Sequence, residues 1–194
     1  MFHLHLPSVF SVDVCGSLIA QAQRRGFEAS TVNIHGVHKP MVNVRNNERL
    51  EWNDAVLAQR IDDAIVKAAA DKFPFVIQDQ AYACLGEHFR MYRYIPGQYF
   101  KPHRDGRIER GALASYVTVL IYLNDADEGE TVLMPRGYQD KSSWIKIAPC
   151  TGDVLLFEHA IWHEGLPVAS GEKYVLRTDL YYRTEAADRI EEGK

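Results

Sequence analysis

The sequence predicts an α+β fold in which N-terminal helices lie against one sheet of an antiparallel β sandwich or jelly roll. Two observations carry this. The first third holds two segments whose apolar residues recur at helical spacing, and from about residue 76 the pattern changes to short β-branched and aromatic runs broken by turn residues. Helices grouped ahead of six or more strands point to α+β. A chain of 194 residues buries a core as one domain without staples. The expected organisation is a single domain over 1–194, with a helical part at 1–75, a jelly-roll core at 76–184 and a polar tail at 185–194.

The first helix is read from "SVDVCGSLIAQAQRRG". Ser11 is placed to cap its N-terminus, Leu18, Ile19 and Ala22 give the spacing, and Gly26 stands where a C-terminal cap belongs. After a polar connection, "HGVHKPMVNVRNNERLEW", a second helix is expected from about Asn53 to Lys72, with Leu57, Ile61, Ala64, Ile65 and Ala68 on one side and Pro74 closing it. The strand segments are "EHFRMYRYI", "YVTVLIYL", "TVLMP", "SWIKIA", "DVLLF" and "KYVLRTDLYYR", separated by turn sequences such as "DGR", "NDADEGE" and "ASGEK".

Composition narrows the function classes. A net charge of −4 argues against a nucleic-acid binder as a whole, although local basic patches stay open. Three scattered cysteines, Cys15, Cys84 and Cys150, form neither a disulfide framework nor a zinc knuckle. The N-terminus lacks a signal-peptide pattern, and "YVTVLIYL" is too short to span a bilayer. A cytoplasmic protein with no membrane partner is expected.

The chemistry begins in "QYFKPHRDGR". In an extended chain His103 and Asp105 project from one face and Arg104 from the other. Such a pair is either hydrogen-bonded or part of a metal site. Farther on, "DVLLFEHAIWHEGLPVASGEKYVLRTD" supplies His159 and His163 just after an apolar strand. Alternation then puts Lys173, Val175, Arg177 and Asp179 on one face of the last strand. If that face looks inward, two buried cations require an anion, either Asp179 or a ligand. Two histidines and one carboxylate match the facial triad of non-haem Fe(II) oxygenases, which leaves positions for a chelating keto acid and dioxygen.

The stretches "RYIPGQYFKPHRDG", "SYVTVLIYLNDADEGET", "PCTGDVLLFEH" and "HEGLPVASGEKYVLRTDLYY" resemble, in order and spacing, the 2-oxoglutarate/Fe(II)-dependent dioxygenases of the prolyl 4-hydroxylase type. The resemblance covers about Phe89 to Tyr182 and implies a double-stranded β-helix. It implies His103, Asp105 and His163 as metal ligands and catalytic residues, with Fe(II) as cofactor, 2-oxoglutarate as cosubstrate and ascorbate as a further candidate cofactor. It also implies that Lys173 pairs with the 2-oxoglutarate C5 carboxylate, that Tyr94 and Tyr122 hydrogen-bond the same cosubstrate, and that Thr118 lies near it. Two departures stand out. Glu128 replaces the first glycine of the family's "GGET", which reshapes that turn if the family geometry needs glycine there. Arg177 stands where the hydroxylases more often carry a smaller or neutral residue; it could share the role of Lys173, replace it, or bind an acidic substrate group.

His159 is the competing distal ligand, and the spacing to "PVASGEK" favours His163. Asn46, Asn47 and Arg49 wall the mouth of the barrel or simply form a polar turn. Lys101, Arg104, Arg107 and Arg110 form a basic run that is a solvated face or a site for an acidic peptide or nucleic acid backbone. His3 and His5 form a chance HxH. The expected function is hydroxylation of an aliphatic C–H bond, in a peptidyl, prolyl-like side chain, with decarboxylation of 2-oxoglutarate to succinate. The alternatives are the same chemistry on a free amino acid, small metabolite or alkylated nucleic acid, a zinc hydrolase, and a non-catalytic metal-binding jelly roll.

Overall fold

The computed structural model describes residues 1–34, 37–39, 41 and 43–184; the polar tail read at 185–194 lies outside them. The main elements are β1 (His3–Leu6), α1 (Val12–Arg25), β2 (Glu48–Asn53), α2 (Ala55–Ala69), β3 (Gln80–Leu85), β4 (His88–Tyr94), β5 (Phe100–His103), β6 (Leu113–Tyr122), β7 (Thr131–Met134), β8 (Ile145–Ile147), β9 (Val154–Glu158), β10 (Trp162–Gly165) and β11 (Lys173–Arg183). The strands form two sheets. The larger runs β1-β9-β6-β11-β4-β2, with β3 also pairing along β11, and the smaller runs β8-β7-β10-β5.

Both helices form where their ends are satisfied. The Ser11 hydroxyl accepts from Val14 N at 3.3 Å, Asp13 sits in the first turn, and Gly26 closes α1 at φ 86°. The Asp54 carboxylate accepts from Leu57 N at 2.9 Å, so α2 starts after Asn53 rather than at it. Its C-terminal end tightens into a 3-10 turn at Ala70–Lys72. Its buried face is Ala58, Ile61, Ile65 and Ala69, whereas Ala68 is exposed.

The central strands β6 and β9 of the large sheet are buried on both faces, which explains why they are apolar almost throughout. Val117, Val119 and Ile121 of β6, Val154 and Leu156 of β9, and Leu176 of β11 join the core shared with Ile61 and Ile65 of α2. The alternate residues Leu120, Tyr122, Leu155, Phe157 and Val175 face the second core, with Leu133 of the small sheet. Burying each such aliphatic side chain contributes about 1.5–3 kcal/mol.

The N-terminal third is not purely helical. β1 pairs with β9 and β2 with β4, so both extend the large sheet. β2 lies in the stretch read as a polar connection. Leu50 and Trp52 pack against the helix-side core while Arg49 and Glu51 pair at 3.1 Å, so only half of a charged strand carries an apolar signal. The turn before β7 keeps its left-handed shape despite Glu128, which takes φ 60° beside Gly129 at φ 74°.

Candidate metal centre

The small sheet supplies the centre of the site. β5 and β10 pair with His103 opposite His163, and their rings stand 4.1 Å apart. β5 ends at His103, and Asp105 is fixed just beyond it by its N–H, which donates to His159 O at 3.2 Å. Each imidazole turns Nδ1 to a local carbonyl, His103 to Lys101 O at 2.8 Å and His163 to Ile161 O at 3.0 Å. That contact fixes Nδ1–H and leaves the Nε2 lone pair aimed at the cavity. Nε2 of His103 and of His163 lie 3.9 and 3.6 Å from the Asp105 carboxylate. Among the described residues, these three form a group whose ligand atoms all lie within 4.8 Å of one another. They could hold a metal ion. Burial, reinforced by the neighbouring His163, pushes His103 down to about 3, and burial lowers His163 as well, so both rings are neutral and ready to bind.

Asp105 is held on both oxygens. Oδ1 is 2.7 Å from Arg177 Nη1, and Oδ2 accepts from the Thr118 hydroxyl at 2.6 Å. Burial opposes its ionisation, yet Arg177 and the two imidazoles hold the carboxyl far below the usual range. Thr118 therefore meets a triad member here. Arg177 continues to Asp179, 3.2 Å from Nη2, and Asp179 also meets His159 at 3.2 Å and Arg90 at 3.4 Å. His159 is thus spent on Asp179 and is no part of the three-residue group.

Lys173, Val175 and Arg177 all line the cavity that opens on the triad, as alternation along β11 predicts. The two cations differ. Arg177 has two carboxylate partners; Lys173, 2% exposed, has none within ion-pair distance among the described residues. Its ammonium donates to Gly129 O at 2.7 Å and lies 4.5 Å from the Tyr94 ring centre. Burial pushes it down to about 8. Tyr94 lines the same cavity; a Cβ added at Gly165 would stand 3.9 Å from both its hydroxyl and Lys173 Nζ. Tyr122 Oη is buried without a hydrogen-bond partner among the described residues. An unanswered buried cation fits an anionic ligand, whereas Tyr122, beside the cavity-lining Thr131, does not itself line the cavity.

Sequence reasoning missed three neighbours. Phe100 stacks on His103 with ring centres 3.6 Å apart, and Arg45 lies over Phe100 at 4.2 Å and over Tyr92 at 4.8 Å. Thr131 lines the cavity. Arg45 adjoins "NNER", whose residues brace the loop: Asn46 Oδ1 accepts from Tyr99 N at 2.8 Å and Asn47 Oδ1 from Arg45 Nε at 3.1 Å. Arg49 bonds Glu51 and Thr31 O instead. A second, open groove meets the triad at His103 and Asp105, with Arg104 over Trp162 at 5.1 Å and Arg107 over Tyr116 at 4.7 Å. Lys101 and Arg110 sit over Tyr99 and Tyr181. His5 of the HxH pair is bound to Asp153 at 2.8 Å.

Residues 89–180 match the family described as the 2OG-Fe(II) oxygenase superfamily. A protein of Acanthamoeba polyphaga mimivirus named for prolyl 4-hydroxylase is 32% identical over 117 residues, covering 50% of this chain and 45% of that one. An Arabidopsis thaliana protein named for prolyl 4-hydroxylase 11 is 34% identical over 100 residues, covering 49% of this chain and 32% of the relative. The chain thus spans less than half the length of these curated relatives. A prolyl hydroxylase from Trichoplax adhaerens, solved with a peptide fragment of the hypoxia inducible factor oxygen degradation domain, superposes with TM-score 0.69 at 16% identity, covering 97% of this chain and 86% of that one. This likeness establishes the same fold, a double-stranded β-helix with helices on one sheet. Among the described residues no helix is long and apolar enough to cross a membrane. Residues 89–180 are thus similar to the 2OG-Fe(II) oxygenase superfamily, and the chain shares its fold with solved prolyl hydroxylases.

Proposed function

We propose that this protein is an Fe(II)- and 2-oxoglutarate-dependent dioxygenase that hydroxylates an aliphatic C–H bond of a peptidyl, prolyl-like side chain. In the overall reaction one oxygen atom of O2 enters the new hydroxyl and the other enters succinate as 2-oxoglutarate loses CO2. The bound metal supplies the activation of dioxygen at the expense of the keto acid. The chain's own residues do the rest. His103, Asp105 and His163 hold the metal on one face, with Nδ1–carbonyl contacts setting both imidazole orientations.

The observation that carries the reading is Lys173: a buried ammonium without a carboxylate partner among the described residues, across the same cavity from the triad. An ammonium left so costs stability unless a ligand anion answers it. Lys173 thus anchors the distal carboxylate of 2-oxoglutarate, and Tyr94 offers its hydroxyl to it. Arg177, already shared between Asp105 and Asp179, is not the anchor. The substrate approaches from the open groove on the far side of His103 and Asp105. The relatives named for prolyl 4-hydroxylase and the peptide held by the Trichoplax protein support a peptide substrate. Three free cysteines support a reducing, cytoplasmic setting.

Anaerobic titration of the Fe(II)-loaded protein with 2-oxoglutarate tests the core of this. A saturable visible charge-transfer band is expected, and Asp105→Ala or His163→Ala should remove it. Bound iron with no band would reject the dioxygenase reading. Mass spectrometry of proline-containing peptides after aerobic turnover then tests the substrate class by the gain of one oxygen atom.

A further inference from the structure

Arg177 is the site residue whose surroundings are least like those of a ligand anchor. Its side chain is 12% exposed and lines the cavity that also holds Lys173 and the triad. One terminal nitrogen lies 2.7 Å from Asp105 and the other 3.2 Å from Asp179, while Nε is buried with no hydrogen-bond partner among the described residues. The guanidinium therefore joins a triad carboxylate to one outside the triad. Asp179 is balanced on its other side by Arg90 at 3.4 Å and by His159 at 3.2 Å. The formal charges of Asp105, Asp179, Arg177 and Arg90 cancel before any metal or cosubstrate arrives.

This balance acts in opposite senses on the two partners of the site. A divalent cation arriving at His103, Asp105 and His163 meets a carboxylate whose charge is already shared, with a fixed positive charge behind it. A dianion arriving afterwards meets that same positive charge as an attraction added to Lys173. The guanidinium charge is permanent at any working pH, so neither effect can be relieved by loss of a proton. A residue that only oriented Asp105 by hydrogen bonding would instead help both partners.

We propose that Arg177 is a positioning residue that weakens binding of the bare metal and strengthens binding of the dianionic keto acid to the metal-loaded site. The metal is then held firmly only once the keto acid is in place. The proposal rests on the reading of the triad and of Lys173 given above.

Mn(II), which is silent in the redox step, serves as the probe. Free Mn(II) is counted by electron paramagnetic resonance without keto acid, and 2-oxoglutarate is then titrated into the Mn(II)-loaded protein by calorimetry. Relative to the parent protein, Arg177→Gln should bind Mn(II) about tenfold more tightly and, once loaded, bind 2-oxoglutarate about tenfold more weakly, a typical size for coupling between two sites. Arg177→Lys, which keeps the charge, should stay close to the parent protein in both. A fall in both affinities in Arg177→Gln would overturn the proposal in favour of simple orientation of Asp105. Weaker 2-oxoglutarate binding with unchanged Mn(II) affinity would overturn it in favour of a direct anchor. Arg177→Met takes the same two measurements if the glutamine variant does not fold. Failure of the underlying reading shows elsewhere, as Asp105→Ala that still binds Mn(II) or Lys173→Met that still binds 2-oxoglutarate.

Discussion

Replacing Lys173 by Met should make the ligand-free protein more stable and disable it. The ammonium is 2% exposed, and burial moves it from 10.5 down to about 8. At roughly 1.4 kcal/mol per pH unit, that gap means the charged form costs the folded state about 3 kcal/mol at neutral pH. Met fills a similar volume without the charge but strands Gly129 O, which now accepts from Nζ at 2.7 Å. Leaving that carbonyl unpaired gives back about 1 kcal/mol. The net gain of about 2 kcal/mol corresponds to a rise in Tm of roughly 4–8 °C for a chain of this size. In the bound state the sign reverses. Loss of one member of a buried charge pair costs about 3 kcal/mol, roughly a hundredfold in Kd for 2-oxoglutarate. Calorimetric melting of both proteins, with and without 2-oxoglutarate and Mn(II), reads all of this. If Lys173→Met melts lower than the parent protein, or keeps the rise in Tm on adding 2-oxoglutarate, the strained-cation argument is wrong. The parent protein adds a pH signature. Its folded state loses the Lys173 proton at about 8 while the unfolded chain keeps it to 10.5, so ligand-free stability from this group rises between those values and is flat below them.

Other expectations follow from the same contacts. Asp105→Ala should abolish metal binding by calorimetry and lower stability by about 1–3 kcal/mol, because it removes one of the two carboxylates that answer the buried Arg177 and leaves Asp179 alone; Asp105→Asn should lose the metal with less damage. The half-buried neutral His103, pushed down to about 3, should make the metal-free protein lose stability as pH falls from 6.5 towards 3, since the unfolded chain takes the proton first; denaturation midpoints across that range would show it, and a flat profile would contradict it. Glu128→Gly should stabilise by about 1 kcal/mol in chemical denaturation, because Glu128 holds φ 60°. Gly152→Ala should fail to accumulate as soluble protein or lose more than about 3 kcal/mol, since a Cβ there would lie 1.9 Å from the Phe10 carbonyl oxygen.

Much of the site is visible in one dimension because its chemistry is local or periodic. His103 and Asp105 are two residues apart, and strand alternation alone puts Lys173, Val175 and Arg177 on the cavity side of β11. The limits of α1 follow Ser11 and Gly26 because capping is a contact within one turn, whereas the Asp54 cap of α2 was seen only in the structure. β1 and β2 escaped because a short strand with polar residues on one side carries little apolar signal, and only pairing with β9 and β4 makes it a strand. Arg45 escaped because its place over Phe100 depends on a loop meeting β5, far along the chain. Nor could residue order decide between the two inward cations. The sequence alone determined that Lys173 and Arg177 share one face of the last strand and that, if this face looks inward, an anion, Asp179 or a ligand, has to answer them. Only the tertiary structure decided that Asp105 and Asp179 both answer Arg177 and leave Lys173 without a carboxylate partner among the described residues. The physical reason is that charge pairing is settled by distances between strands, which no periodicity along one strand contains.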